Sequence, residues 1–246
     1  MRSLSRTPAT DVAAHERVWR RALALGAALG VFGLSYGVLA VAAGLPPWLT
    51  VLSSLLVLAG GAQFAFVAVI AAGGAPLAGV VSGLLLNLRF IPFGVALAAN
   101  LPPAPLARRL LDGYLLVDES VALGLSGPPA GTAYRFRLGG WMVVVTWVLG
   151  TALGAYGGQL VDPERFGLDA AFPAGFLALL APWLRTRAGQ VSAAAGVGLA
   201  LLLTPITPPG VPIVAAGLGA FAGLWLFPER AAAGGTDAEV DVEVER

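Results

Sequence analysis

Residues 77–99 read LAGVVSGLLLNLRFIPFGVALAA, with Asn87, Leu88 and Arg89 in the middle of an otherwise apolar run. About 20 apolar residues at about 1.5 Å rise each cross the hydrocarbon core of a bilayer, so the arginine falls near mid-depth. An arginine there costs from about 3 kcal/mol upward. It is expected to face protein or a water-filled cavity, paired with an anion or with free carbonyls. Two readings follow: a group on a transport pathway, or a buried ion pair that only sets helix register. Snorkelling is disfavoured, because roughly ten apolar residues flank Arg89 on each side.

Composition points to a membrane protein. Mean hydropathy is +0.81 and 57% of residues are hydrophobic against 12% charged, more apolar surface than a soluble core of 246 residues absorbs. Net charge is +1 and no basic-aromatic patch exists, which argues against nucleic acid. The absence of cysteine excludes disulfides, thiolate metal sites and cysteine nucleophiles. The single histidine, His15, precedes the first apolar run, so neither a histidine metal site nor a histidine proton relay lies within the spans. All fifteen basic residues are arginine, which rules out a phosphate loop of the G-x-x-x-x-G-K type. No metal and no cofactor are expected.

The fold class expected is all-α: a polytopic membrane protein of about seven to eight transmembrane helices, some broken by glycine or proline. Residues 1–21 form a polar tail whose Arg2, Arg6, Arg17, Arg20 and Arg21 place the N-terminus in the cytoplasm. With no small-residue cleavage site after a short apolar region, the first span is read as an uncleaved anchor. Residues 22–228 form the membrane domain, and residues 229–246 an acidic tail expected to be disordered. Eight apolar stretches divide the middle portion: Ala22–Ala43, Trp48–Ala72, Leu77–Ala99, Leu106–Leu125, Leu138–Gly158, Asp169–Leu184, Ala188–Ile206 and Val211–Phe227. Pro- and Gly-rich turns separate them.

Counting crossings from a cytoplasmic start puts Arg135, Arg137, Arg185 and Arg187 inside, in agreement with the positive-inside rule. Arg108 and Arg109 fall outside. Either Leu106–Leu125 is not a full span, or these arginines pair locally with Asp112. That stretch reads as an interfacial amphipathic helix or as a polar helix lining a cavity. Asp118 favours the second reading, because it lies at helical spacing with Leu111, Tyr114, Leu115 and Ala122, where a solvated acid is out of place.

Asn87 and Arg89 point about 200° apart on an ideal helix. Gly79, Gly83 and Asn87 make a small-residue seam on which Asn87 can bond a neighbouring helix. Pro92 lacks an N–H, so the carbonyl of Leu88 is expected to lose its helix partner. Pro173 does the same for Asp169 in Gly167-LDAAFPAGF, where Asp169 is either an N-cap or a functional carboxylate. In Ala59-GGAQFAF, Gly60 and Gly61 relax the helix mid-span, and Gln63 either bonds a neighbouring helix or contacts substrate. A weak repeat pairs Gly30-VFGLSYG and the following AGGAQFAF with Gly150-TALGAYG and the following GLDAAFPAGF. Such a two-fold repeat of interrupted helices suits an inverted- or parallel-repeat transporter.

These motifs, Gly60-GAQF, Leu86-NLR, Val117-DES and Gly167-LDAAFPAGF with the glycine-rich first span, resemble the AzlC-type large subunit of the branched-chain amino acid exporter (permease) family from about Val31 to Pro228. The resemblance implies a multi-spanning transporter of the cell (inner) membrane that works with a small hydrophobic AzlD-type subunit and exports branched-chain or similar small amino acids. Two departures matter: Phe90 stands where the family often has histidine, and Val117 where it often has threonine. A proton relay would here fall to Asp118, Glu119 or Asp169.

The expected roles follow. Arg89 binds the substrate carboxylate, Asp169 and the carbonyls near Leu88 and Asp169 meet its ammonium group, and Gln63 and Asn87 supply neutral hydrogen bonds. Asp118, with Glu119, couples transport to the proton or ion gradient. Arg89 and Asp169 should converge on one cavity. The rival readings are a membrane scaffold without its own substrate site and, more weakly, a membrane-embedded enzyme using Asp118 and Asp169 as paired acids.

Overall fold

The structure is a computed structural model describing residues 8–158, 177, 180–181, 183–208, 210–219 and 226. Its elements are helical: α1 (Pro8–Ala42), α2 (Pro47–Leu56), α3 (Gly60–Ala71), α4 (Pro76–Asn87), α5 (Phe90–Ala98), α6 (Leu106–Tyr114), α7 (Asp118–Leu125), α8 (Thr132–Gly157), α9 (Arg187–Leu203) and α10 (Val211–Gly219). Among the described residues, His15–Ala42, Pro76–Ala98 and Pro129–Gly157 are long and apolar enough to cross a bilayer. Pro47 and Pro76 sit in first turns, where a missing N–H breaks no helix bond. Gly44 and Gly73, with φ of 94° and 77°, let the chain reverse after α1 and α3.

α1 and α8 run parallel and in register. Gly26 faces Met142, Gly33 faces the backbone of Trp147, Gly37 that of Thr151, and Gly150 and Gly154 abut the carbonyls of Gly30 and Leu34. Near the helix starts, the rings of His15 and Tyr134 lie 5.1 Å apart. Glycine is required here because backbones touch: a methyl on Gly33 would stand 2.6 Å from the Trp147 carbonyl oxygen. Gly30 and Gly150 open the first helices of the two copies of the sequence repeat, so those two helices pack on one another and run parallel.

Two apolar stretches counted as crossings turn back instead. α2 descends antiparallel to α8, Ser54 meeting Thr151 at 2.9 Å and Gly60 meeting the Trp147 ring. After Val57–Ala59 the chain reverses, and Gln63 donates to Ser53 and Ser54 of α2 at 3.3 and 3.1 Å. α3 then runs antiparallel to α4, with Ala62 on Gly83 and Phe66 on Gly79, the seam indicated by small-residue spacing. Residues 47–71 are thus a helical hairpin entering from the face where α1 ends. α6 and α7 form a second hairpin from the other face. On the way in Asp112 meets Arg137 and Leu115 meets Gly140; on the way out Ser120 approaches Gly139 and Gly124 packs on Phe136.

This geometry corrects the crossing count. Residues 73–75 and 101–105 lie on the faces opposite to those the count assigned, while α8 keeps its orientation because two crossings are removed together. Arg108 and Arg109 therefore share a face with Arg17, Arg20, Arg21, Arg135 and Arg137. α9 spans about 25 Å at 1.5 Å per residue. It leads to Gly210, which touches Ala78 and Val69 at the far face, so Arg185 and Arg187 also begin at the arginine-rich one. Nor does Asp112 pair locally with Arg108 or Arg109. Arg137 holds both its carboxylate oxygens, at 2.7 and 2.8 Å, in a bidentate pair reaching across from α8.

Candidate functional site

The hairpin tips meet, from opposite faces, at a cavity of about 280 Å³. α1 contributes Leu25, Leu29 and Phe32; α8 contributes Val143 and Trp147; the first tip brings Leu58, Gly60, Gly61 and Phe64. The charged groups come from elsewhere: Arg89 at the α4–α5 kink, and Asp118 and Glu119 at the second tip.

The second tip is built by its own sequence. The Ser120 hydroxyl accepts from the Val117 amide at 3.0 Å and lies 2.6 Å from the Leu115 carbonyl, closing the chain over the break and starting α7. Asp118 and Glu119 then occupy the first turn, where the helix dipole favours negative charge. At the other end of α7, Arg135 donates to the carbonyls of Gly124 (2.9 Å from Nη2) and Pro128 (2.8 Å), satisfying groups that a helix end leaves free. Ser120 carries no charge and no periodic signal, yet it sits three residues after Val117, a capping spacing that the sequence does contain.

Arg89 meets Asp118 across the cavity, Nη2 to Oδ2 at 2.9 Å, with both side chains about one-third exposed (34% and 28%). The guanidinium also lies 5.4 Å from the Phe90 ring centroid. Its Nε is buried without a hydrogen-bond partner, and so is Asn87 Oδ1. The backbone differs from the proline argument. The Leu88 carbonyl is not free but accepts from the Ile91 amide at 3.1 Å, because the chain tightens into an i to i+3 turn at Leu88 and Arg89 before α5 resumes.

The other expected residues distribute as follows. Gly60 and Gly61 begin α3 at the first break, where first-turn amides lack helix acceptors. Gln63, 4% exposed, does not line the cavity; it lies behind the wall, bonded to Ser53, Ser54 and, through Oε1, to the Trp147 indole N–H at 2.9 Å. Its surroundings are those of the helix-to-helix alternative. Pro92 lies in the first turn of α5. Asp169 and Pro173, and with them the expected convergence of Arg89 and Asp169, lie outside the described residues. The anion that the structure brings to Arg89 is Asp118. Trp147 was missed as a wall residue: in sequence it is one more apolar position on α8.

A family model described as AzlC protein matches residues 24–161. A protein from Archaeoglobus fulgidus described as an uncharacterized membrane protein is 31% identical over 182 residues, covering 72% of this chain and 80% of the relative. No solved structure matches. The matched region runs from α1 through the end of α8 and contains both hairpins, the Arg89 kink and the cavity. The chain belongs to the AzlC family of membrane proteins.

Proposed function

We propose that this protein exports small zwitterionic amino acids with branched apolar side chains through the cavity between the hairpin tips, driven by the proton gradient. One observation carries the reading: an Arg89–Asp118 pair set in apolar walls, with Arg89 Nε lacking a partner on the same guanidinium. A substrate carboxylate satisfies Arg89. Its ammonium group meets Asp118 and Glu119, and the side chain lies against Leu29, Phe32 and Val143. Asn87 Oδ1 offers a neutral acceptor beside the kink. A carboxylate that exchanges an internal arginine for a substrate ammonium, and releases or takes a proton as it does, couples the two fluxes. That role falls to Asp118, with Glu119 beside it.

The arginine-rich face corresponds to the cytoplasm under the positive-inside rule, which supports a cell-membrane protein with a cytoplasmic N-terminus. Asp169 remains a proposed further ligand from the chain after α8. An AzlD-type subunit is the proposed partner; Leu84, Ile91 and Val95, 63–70% exposed beside Arg89, offer it or lipid an apolar strip. The test is efflux of an amino-acid panel from cells lacking other exporters, with and without such a subunit. Efflux of valine, leucine or isoleucine that Arg89→Ala abolishes at unchanged membrane abundance supports the reading. Efflux unchanged by that substitution overturns it.

A further inference from the structure

Trp147 is held more firmly than packing alone requires. Its indole N–H donates to Gln63 Oε1 at 2.9 Å, and the Gln63 amide donates in turn to Ser54 at 3.1 Å and Ser53 at 3.3 Å. Those hydroxyls are tied onward, Ser53 to the Tyr36 hydroxyl at 2.8 Å and Ser54 to Thr151 at 2.9 Å. The ring stacks on Tyr36 (centroids 6.2 Å, 24° between planes) and takes Phe64 edge-on at 6.2 Å. Every polar group in this set has a partner, so the set fixes one orientation of the ring; a buried network satisfied throughout is rigid.

The ring's outer edge lies against Gly60. A methyl built on Gly60 would stand 2.6 Å from the indole Cη2, so the wall has no slack there. Trp147 and Gly60 both line the cavity, together with Arg89 and Asp118. At about 280 Å³ the cavity lies below the roughly 300–1,000 Å³ of sites for drug-sized ligands.

We propose that Trp147, clamped by Gln63 and seated on Gly60, is the residue that sets the upper limit on substrate side-chain size, admitting aliphatic chains up to leucine and excluding aromatic ones. The proposal rests on the amino-acid reading of the cavity. The charged groups fix the backbone end of the ligand and the apolar walls take its side chain, so a wall residue that cannot move limits the size that fits. A mobile aromatic would yield to a longer ligand; a ring held through its N–H and packed against Tyr36 and Phe64 does not.

The test uses the full-length protein in proteoliposomes, with efflux of alanine, valine, leucine and phenylalanine measured separately. Trp147→Phe removes the outer ring and the Gln63 bond, and is expected to raise the phenylalanine-to-leucine ratio by about tenfold or more, the low end of what apolar-pocket size differences are worth. Gly60→Ala adds a methyl to the wall itself, where the clamped indole leaves no room, and is expected to lower leucine relative to alanine by about tenfold. Opposite shifts support the assignment, because a merely structural role moves total rate and abundance without reordering substrates. Unchanged ratios in both variants, while the wild type still exports leucine, overturn the size limit and leave the amino-acid reading standing. Should Trp147→Phe fail to accumulate, Gly60→Ala decides by the same ratio. A wild type that moves no amino acid overturns both.

Discussion

Arg89 and Asp118 form their 2.9 Å contact between two interruptions of helix, the Leu88–Arg89 turn and the Leu115–Val117 tip, neither of which is an element terminus at a membrane surface. Both charges therefore lie where backbone order changes. An ion pair that only locked helix register would more economically join two continuous helices. Removing one member leaves the other charge without its partner in an apolar cavity, which costs more than removing both.

From this follows a separation of stability from transport. Arg89→Leu and Asp118→Leu should each lower the thermal unfolding midpoint in detergent, whereas the double variant should recover most of that loss and remain inactive in efflux. A double variant as unstable as the worse single one would mean that the two side chains do not act as a pair.

Coupling has its own readout. Asp118→Asn keeps size and hydrogen bonding but cannot exchange a proton. Counterflow of unlabelled for labelled leucine should remain measurable at saturating leucine in this variant, Glu119 still facing the ammonium group, while efflux driven by an imposed pH gradient should fall about a hundredfold or more, the low end of what a positioned proton-transfer group contributes. Gradient-driven efflux at the wild-type rate would remove Asp118 from the coupling role.

Topology is directly testable because the chain has no cysteine. Single cysteines at Gly74 and Ala104 should label from opposite sides of the membrane, with Ala104 on the side of Arg20 and Gly74 on the other. Through-going spans at Trp48–Ala72 and Leu106–Leu125 would exchange the two results.

The α1–α8 seam should tolerate no added volume. Gly154→Val places branched carbons against the Leu34 carbonyl, and Gly33→Ala a methyl 2.6 Å from that of Trp147. Overpacking costs about 1–3 kcal/mol where side chains adjust and more where backbones meet. Gly33→Ala is expected to lower the unfolding midpoint clearly and Gly154→Val to prevent accumulation. A Gly154→Val protein of normal stability would mean that the helices do not touch there.

Much of this site is legible in the chain. The isolation of Arg89 in an apolar run, the acid at Asp118 on an apolar side, and the Gly60-Gly61 interruption each break a strong local pattern, and all three line the cavity. Gln63 breaks a pattern too, but sits behind the wall, because a neutral polar group at depth advertises only that it has a partner. Trp147 and Ser120 break none. Their roles depend on what lies across from them.

Hydropathy, the spacing of small residues and the positions of proline and glycine determine, without further information, that this is an all-helical membrane protein with interrupted helices and close glycine seams. Those properties depend on a segment's own composition and on the absence of water around it. Direction is different. An apolar stretch of about 20–25 residues holding a break has the length to cross the bilayer or to enter and return, and its composition satisfies the lipid either way. Which occurs is decided by contacts with other segments: Gln63 on Ser53 and Ser54, Arg137 on Asp112, Leu115 on Gly140. Only those tertiary pairings turn two presumed crossings into hairpins, bring their tips together from opposite faces, and place Asp118 against Arg89.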